Sequence, residues 1–215
     1  LALALSCLAF LGRSIIPESQ SQTRPPSELA RLISLSGRVE ISTDRGENWT
    51  AGRTNQVLNT GNRVRTGRRS RATVQMSDKS MLRIRQLSNL VIQAPTANSS
   101  KATLDLRSGS SYLFSRENPT EINFRTPITS GAIRGTEFDL TVAADGSTEV
   151  TMLDGEVFLS SELGSTTLVS GERGIVAPGE RPRTVAAIDA LNTIQWTLYY
   201  PGLIHLPDLD LSPDE

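Results

Sequence analysis

The chain has 215 residues, a formal net charge of −1, 37% apolar residues and 5% aromatic residues. This length suits one domain with additional segments at its ends, and the composition allows a core of Val, Ile and Leu. The balanced charge excludes the strongly basic footprint of a nucleic-acid-binding protein, and a single Cys excludes a framework of intrachain disulfides.

The first segment, Leu1 to Gly12, reads LALALSCLAFLG and carries no charge. It is too short to cross a hydrocarbon core of ~30 Å at ~1.5 Å per residue. It is typical of the apolar region of a signal peptide or of the end of a truncated membrane helix, and the alternatives are a buried core helix or lipid attachment at Cys7. Residues 13–27 are polar and Pro-rich, which indicates a linker. We therefore expect a periplasmic or otherwise extracytoplasmic domain from residue 28, membrane-anchored if the first segment is an anchor.

From residue 28 to residue 183 the chain reads as an all-β domain. Short apolar-alternating segments, each bounded by Gly, Asn, Asp or Ser, recur about every ten residues. This pattern fits a sandwich, a barrel or a solenoid-like stack, and we favour a twisted, solenoid-like β-sandwich. The first predicted strand is a short one within Ile33–Ile41, where Val39 and Ile41 alternate with Arg38 and Glu40. The others are Arg63–Thr66, Ala72–Ser77, Met81–Gln86, Leu90–Gln93, Thr103–Arg107, Ser111–Phe114, Glu121–Arg125, Glu149–Leu153, Val157–Ser160, Thr166–Val169 and Gly174–Ala177, with turns at Asp154-Gly155 and Leu163-Gly164-Ser165.

A hairpin motif follows the first strand. Its residues Ser42, Asp44, Gly46 and Trp49 fit the S-x-D-x-G-x-x-W pattern of an Asp box. Asp44 can accept backbone N–H groups in the turn, Gly46 allows a positive φ, and Trp49 can pack on the hairpin. A sialidase propeller repeats this motif in every blade, whereas this chain has one copy. We interpret it as a well-made hairpin tip.

The central stretch runs from Arg125 to Val142 and predicts a strand that passes through a kink into another strand. Pro127 suits a strand start or an edge, and Gly131 and Gly135 suit a turn or a close approach. After Gly135 the residues alternate between two faces. One face carries Phe138, Leu140 and Val142, and the other carries Glu137, Asp139 and Thr141.

The runs TPITSGAIRGTEFDLTV, TEVTMLDGEVFLS and TLVSGERGIV resemble the signature of FecR domains. The similarity extends over roughly residues 32–176. Its most specific parts lie in the central stretch and in the Gly155-Glu156-Val157 run. The signature residues, which we expect to be structural, are Pro127, Gly131, Gly135, Thr136, Phe138 and Gly155.

The resemblance implies a function in signal transduction. FecR-type proteins are named for an iron-dicitrate sensor. Its periplasmic domain receives a signal from an outer-membrane receptor and transmits it through a membrane helix to a sigma-factor regulator. We expect a non-enzymatic sensor or regulator that binds a protein in the cell envelope. The cytoplasmic regulatory region and complete membrane helix of that type are not visible in this sequence.

Few residues could carry chemistry. The sole His, His205, lies in a Pro-flanked tail without neighbouring metal ligands. Glu137 and Asp139 share a strand face, which would allow paired-carboxylate chemistry, but we interpret them as solvated carboxylates. We therefore expect no catalytic residues, no metal and no cofactor.

A cluster of arginines is the strongest candidate for binding. If the strands from residues 63 and 81 share a face, their guanidinium groups would form a patch for carboxylates or phosphates. The alternative is a solvated face with gatekeeping charges. The candidate residues are Arg63, Arg65, Arg68, Arg69, Arg83 and Arg85.

Residues 184–200 predict a helix, with Thr184 as its N-cap and Pro201-Gly202 as its stop. It would either pack on the β domain or lead into tetratricopeptide-type repeats, in which case the chain is cut at both ends. Residues 201–215 predict a disordered tail. The alternative function is a module that binds cell-envelope polysaccharide or peptidoglycan, with Trp49 and Tyr112 as the aromatics for sugar stacking.

Overall fold

The computed structural model describes residues 29–93, 101–115 and 119–186, and every regular element in these ranges is a β-strand. The strands are β1 Ala30–Ser36, β2 Val39–Ser42, β3 Thr50–Ala51, β4 Gln56–Leu58, β5 Arg63–Thr66, β6 Arg71–Met76, β7 Met81–Ile84, β8 Asn89–Gln93, β9 Thr103–Phe114, β10 Thr120–Arg125, β11 Ser130–Val142, β12 Thr148–Ser161, β13 Gly164–Val169, β14 Glu172–Val176 and β15 Arg183–Ala186.

The strands form one continuous sheet with two arms. Arm A has the order β4-β1-β6-β7-β9-β11-β12-β14-β15, and arm B has the order β3-β2-β5-β8-β9-β10-β11-β12-β13. The long strands β9, β11 and β12 belong to both arms. All neighbouring pairs are antiparallel except β9 and β10, which run parallel.

Each long strand changes arm at a glycine. The first half of β9 pairs with β8, and after Gly109 the strand pairs with β7 and β11. The first half of β11 pairs with β10 up to Gly135, and its second half pairs with β9. β12 pairs with β14 before Gly155 and with β13 after it. The absence of a Cβ at these points lets the backbone bend sharply where two strands approach.

The apolar faces of the two arms meet in one core. Leu32, Val74 and Leu82 contribute from arm A, and Val64 and Leu104 contribute from arm B, all with 0% exposure. Each such side chain contributes about 1.5–3 kcal/mol by leaving water. The largest fully buried side chains are Phe124 and Phe138.

The predicted all-β fold is confirmed, and β5 has the predicted bounds. Two pairs of predicted strands are each one long strand, β9 and β12. The predicted turn at Asp154-Gly155 is therefore wrong. It lies inside β12, where Gly155 bends the strand without reversing it. The predicted hairpin near Leu163 is confirmed as the turn between β12 and β13.

Residues 184–186, where we expected a helix to begin, lie instead in β15 and pair with β14. The rest of that prediction, residues 187–200, lies outside the described residues, as do the predicted tail with His205, the apolar segment 1–12 and the linker. In the part of the chain that the structure describes, no helix has the length and apolarity needed to cross a membrane.

Candidate interaction surface

The signature residues lie in the turn before β11, along β11 and at the bend of β12. Phe138 has 0% exposure, as the predicted alternation requires. Gly131 packs so closely against Phe124 that a Cβ at this position would lie 2.3 Å from the ring. The Thr136 hydroxyl donates to the Asp154 carboxylate across the bend. Pro127 lies in the turn before β11 and lines an open cleft there.

The six candidate arginines do not share one face. Arg63 and Arg65 lie on β5 in arm B, whereas Arg83 lies on β7 in arm A. Arg83 is only 7% exposed, and its guanidinium carbon lies 4.7 Å from the centroid of the Phe114 ring. Burial makes Arg83 part of the packed structure, so the patch expected from the sequence is divided.

Arg65 is held between an acid and an aromatic ring. Its Nε donates to Glu40 Oε2 at 2.7 Å, and its guanidinium carbon lies 4.0 Å from the centroid of Trp49. Arg38 donates to the other Glu40 oxygen at 3.0 Å. Hydrogen bonds from Arg65 and then Arg38 lower the pKa of Glu40 to about 2. Glu40 therefore offsets one of the two positive charges of this group.

Three turns meet at one end of the arms. The Gly67 N–H donates to the Arg38 carbonyl at 2.9 Å, which joins the β5–β6 turn to the β1–β2 turn. The Leu87 N–H donates to the Gly67 carbonyl at 3.2 Å, and the Arg69 N–H donates to Gln86 Oε1 at 2.7 Å. These bonds attach the β7–β8 turn to the β5–β6 turn.

We call Arg38, Arg68, Arg69 and Leu87 the basic end. Both Arg68 and Arg69 are exposed, the Arg38 side chain is 72% exposed, and Leu87 is 57% exposed. The three turns, residues 36–38, 67–70 and 85–88, contain no acidic residue. The arrangement is therefore a positively charged surface with one projecting apolar side chain.

Two residues of the basic end have a left-handed backbone conformation, with φ values of +53° at Arg69 and +56° at Leu87. This conformation costs a residue with a Cβ about 1–2 kcal/mol. Such strain is typical of places where function constrains the backbone. Sequence reasoning missed Leu87, although an apolar residue between turn-forming residues in RQLSN was a signal for it.

The Asp box forms the hairpin tip that its sequence predicts. Asp44 accepts hydrogen bonds from Ser42 Oγ at 2.7 Å and from the Asn48 N–H at 2.9 Å. These bonds hold the pKa of Asp44 well below its usual range. Trp49 Nε1 donates to the Gly46 carbonyl at 3.0 Å, which closes the turn.

A row of polar side chains crosses arm A. Arg83 faces Tyr112, Tyr112 faces Asp139, and Asp139 faces Thr151 on successive strands. Asp139 is 7% exposed, so the expectation of a solvated carboxylate is wrong for it. The neighbouring strands, which sequence reasoning could not assign, enclose it.

The two carboxylates of that strand face have different surroundings. Tyr112 donates its hydroxyl to Glu137. Asp139 Oδ1 accepts from Thr141 Oγ1 at 3.1 Å, and Asp139 Oδ2 has no partner among the described residues. Burial raises the pKa of Asp139 to about 6, against the opposing effect of the Thr141 bond. The described ranges contain no group of three or more side chains suited to hold a metal ion.

Comparison with known proteins agrees with the fold. Residues 62–158 match the family model described as FecR protein, which covers strands β5 to β11 and most of β12. No curated protein matches the sequence.

Two crystal structures of a proposed anti-sigma factor from Parabacteroides distasonis ATCC 8503 are similar, with TM-scores of 0.53 and 0.52 at 14% and 15% identity. Each match covers 63% of this chain, and the chain spans 63% and 64% of those structures. At this identity the likeness concerns the fold.

Proposed function

We propose that this chain, which carries a FecR domain over residues 62–158, is a non-enzymatic regulator that binds another protein outside the cytoplasm. The single observation that carries the proposal is that family match, which covers β5 to β11 and most of β12. The similar fold of the proposed anti-sigma factor supports the same interpretation.

The basic end is the surface that we assign to the protein partner. Its guanidinium groups suit carboxylates, because the planar fork of arginine donates two parallel hydrogen bonds to one carboxylate. Leu87, whose turn is bonded to that of Arg68 and Arg69, would supply an apolar contact beside these charges. The partner surface would therefore combine acidic side chains with an apolar pocket.

No observation favours the alternative of glycan binding. One face of Trp49 is occupied by Arg65, and its indole N–H is bonded to Gly46. Tyr112 is 4% exposed, and its hydroxyl is bonded to Glu137. Tyr112 is therefore not available for stacking on a sugar, and one face of Trp49 is already covered by Arg65.

Site-specific photocrosslinking tests the proposed surface. A photoreactive residue placed at Leu87 should capture one defined protein in cell-envelope extract, and the same residue at Asp145, in the exposed turn between β11 and β12, should not. The double variant Arg68→Glu/Arg69→Glu should reduce that crosslink roughly tenfold, since reversed charges repel an acidic partner.

The matched control is Arg45→Glu/Arg53→Glu, which makes the same change in net charge at exposed positions elsewhere and should leave the crosslink intact. Equal crosslinking at positions 87 and 145 would contradict the proposed surface. Capture of no protein from either position would contradict protein binding.

Protease accessibility tests the location. The native protein in intact cells of its host should resist added protease and become cleavable once the outer envelope is opened, before the inner membrane is broken. Cleavage only after lysis of the inner membrane would contradict an extracytoplasmic domain.

A further inference from the structure

Strand β13 is an unusually unprotected edge. In the described residues it pairs with β12 alone, and its sequence GSTTLV contains no charged residue. It is six residues long, whereas the other edge strands β3, β4 and β15 have two, three and four residues. A long uncharged edge is the kind that recruits another strand.

Apolar side chains flank this edge on its outer face. Phe158 on β12 and Val169 on β13 are each 51% exposed. Phe158 lies opposite Thr167, and Val169 is two residues further along β13, so both side chains project from the same face. Removing them from water on association would contribute at about 25 cal/mol per Å² of apolar area.

The direction of the free backbone groups follows from one hydrogen bond. The Val169 N–H donates to Glu172 Oε2 at 2.9 Å, so it points away from β12. Because inward and outward groups alternate along an antiparallel strand, the N–H groups of Thr167 and Ser165 also point outward. Glu172 therefore covers one end of the edge, and no described strand pairs with the outward groups of Thr167 and Ser165.

The charges at the two ends of β13 have opposite signs. Glu172 lies at the Val169 end, and the Arg181 side chain lies at the Gly164 end, 3.9 Å from the place that a Cβ would occupy there. An antiparallel copy of the same strand would bring each Glu172 towards the Arg181 of the other copy. The edge is thus complementary to itself.

We infer that two copies of this chain associate by antiparallel pairing of β13, with Thr167 at the two-fold axis. In that register Ser165 faces Val169 of the second copy, and the Val169 N–H bonds to the second copy in place of Glu172. The released Glu172 pairs with Arg181 of the second copy. Phe158 and Val169 of both copies line the outer face about the axis. This inference is independent of the basic end and of the proposed partner.

Sedimentation of the full chain over a wide range of concentrations tests the pairing. The chain should show a reversible monomer–dimer equilibrium. Arg181→Glu should raise the dimer Kd at least about tenfold, and Arg181→Glu combined with Glu172→Arg should restore it, because the exchanged charges attract again. Arg53→Glu, an equal charge change in a different loop, should leave the Kd unchanged.

Two further measurements locate the interface. Thr167→Pro removes an outward N–H that β12 does not use, so it should abolish the dimer while the monomer keeps its circular dichroism spectrum. Amide exchange of Thr167 should slow at high protein concentration in the wild type. A chain that stays monomeric at all concentrations overturns the inference and leaves the edge to a strand of another protein. A dimer insensitive to both Arg181→Glu and Thr167→Pro overturns it as well.

Discussion

Gly135 of β11 and Gly155 of β12 lie directly opposite each other at the point where both strands change arm. A Cβ on Gly155 would lie 2.4 Å from Gly135 Cα, and a Cβ on Gly135 would lie 2.4 Å from the Asp154 carbonyl oxygen. The two backbones touch where ordinary strands would have side chains. The pair therefore explains why these positions stand out in the sequence signature.

Gly155→Ala should destabilise the domain severely. Gly155 has a φ of +123°, so the variant combines backbone strain with a backbone clash. Strain of about 1–3 kcal/mol and overpacking of about 1–3 kcal/mol should together lower the free energy of unfolding by roughly 3 kcal/mol or more. Denaturation in urea measures this loss.

The matched control for that variant is Gly171→Ala. Gly171 also has a positive φ, +84°, but a Cβ there would meet nothing within 4 Å. It should cost only the strain of about 1–2 kcal/mol. Equal losses for the two variants would show that the contact between the strands is not what requires glycine.

The stability of the domain should depend on the ionisation of Asp139. The pKa of this carboxyl is about 6 in the folded chain and about 3.9 in an unfolded chain, so the folded state binds the additional proton between these values. The buried charge therefore destabilises the fold above pH 6, and this penalty is lost as the pH falls towards 4.

Asp139→Asn removes the titration and keeps an acceptor for Thr141. Between pH 4 and pH 8 its free energy of unfolding should improve relative to wild type by on the order of 2–3 kcal/mol. Asp145→Asn serves as control, because a hydrogen bond from the Ser147 N–H lowers the pKa of Asp145 below its unfolded value, so its difference from wild type should stay nearly constant between pH 4 and pH 8. A pH-independent difference for Asp139→Asn would refute the assigned burial.

Leu87→Asn should stabilise the fold while it weakens partner binding. Asparagine tolerates the left-handed region better than leucine, and an exposed leucine loses little burial when replaced. We expect a gain of about 0.5–1 kcal/mol in thermal or urea denaturation. Val57→Asn, at an exposed strand position without positive φ, should give no gain. A loss of stability in Leu87→Asn would show that this leucine supports the fold.

Arg65 should matter more to stability than Arg38, although both donate to Glu40. Arg65→Ala removes an ion pair and the stacking on Trp49, which together are worth about 1 kcal/mol. Arg38→Ala removes only an exposed ion pair and should cost clearly less. Denaturation at low and high salt separates the two contributions, because screening weakens the ion pairs and leaves the stacking. If Arg65→Ala and Arg38→Ala lowered the free energy of unfolding equally at both salt concentrations, the ranking would be wrong.

The sequence predicted the local elements of this fold well and their long-range assembly less well. The alternation of Phe138 and Leu140 was sufficient to identify the core-facing side of β11, where both side chains have 0% exposure, although it did not predict the burial of Asp139 on the other side. Gly155 was read as a turn because glycine usually marks one, whereas its role depends on Gly135, twenty residues earlier. No local pattern contains that contact.

The composition of the candidate surface likewise depends on contacts between residues that are distant in the sequence. The arginines of β5 and β7 are close in sequence, but their strands belong to different arms. Arg38, in contrast, joins Arg68 and Arg69 only because a hydrogen bond ties their turns together. Pairing between distant strands decides which charges share a surface, and one sequence does not specify that pairing.

The sharing of β9, β11 and β12 between the arms has a consequence for cooperativity. Neither arm contains a complete set of strands without the other, so neither can melt while its neighbour stays folded. A load on β13 at one end of β12 is carried by the same backbone that holds β14 at the other end. When force is applied at its edge, the domain should therefore move as one rigid unit. A rigid domain of this kind would pass a displacement at β13 on to the strands at the other end of β12.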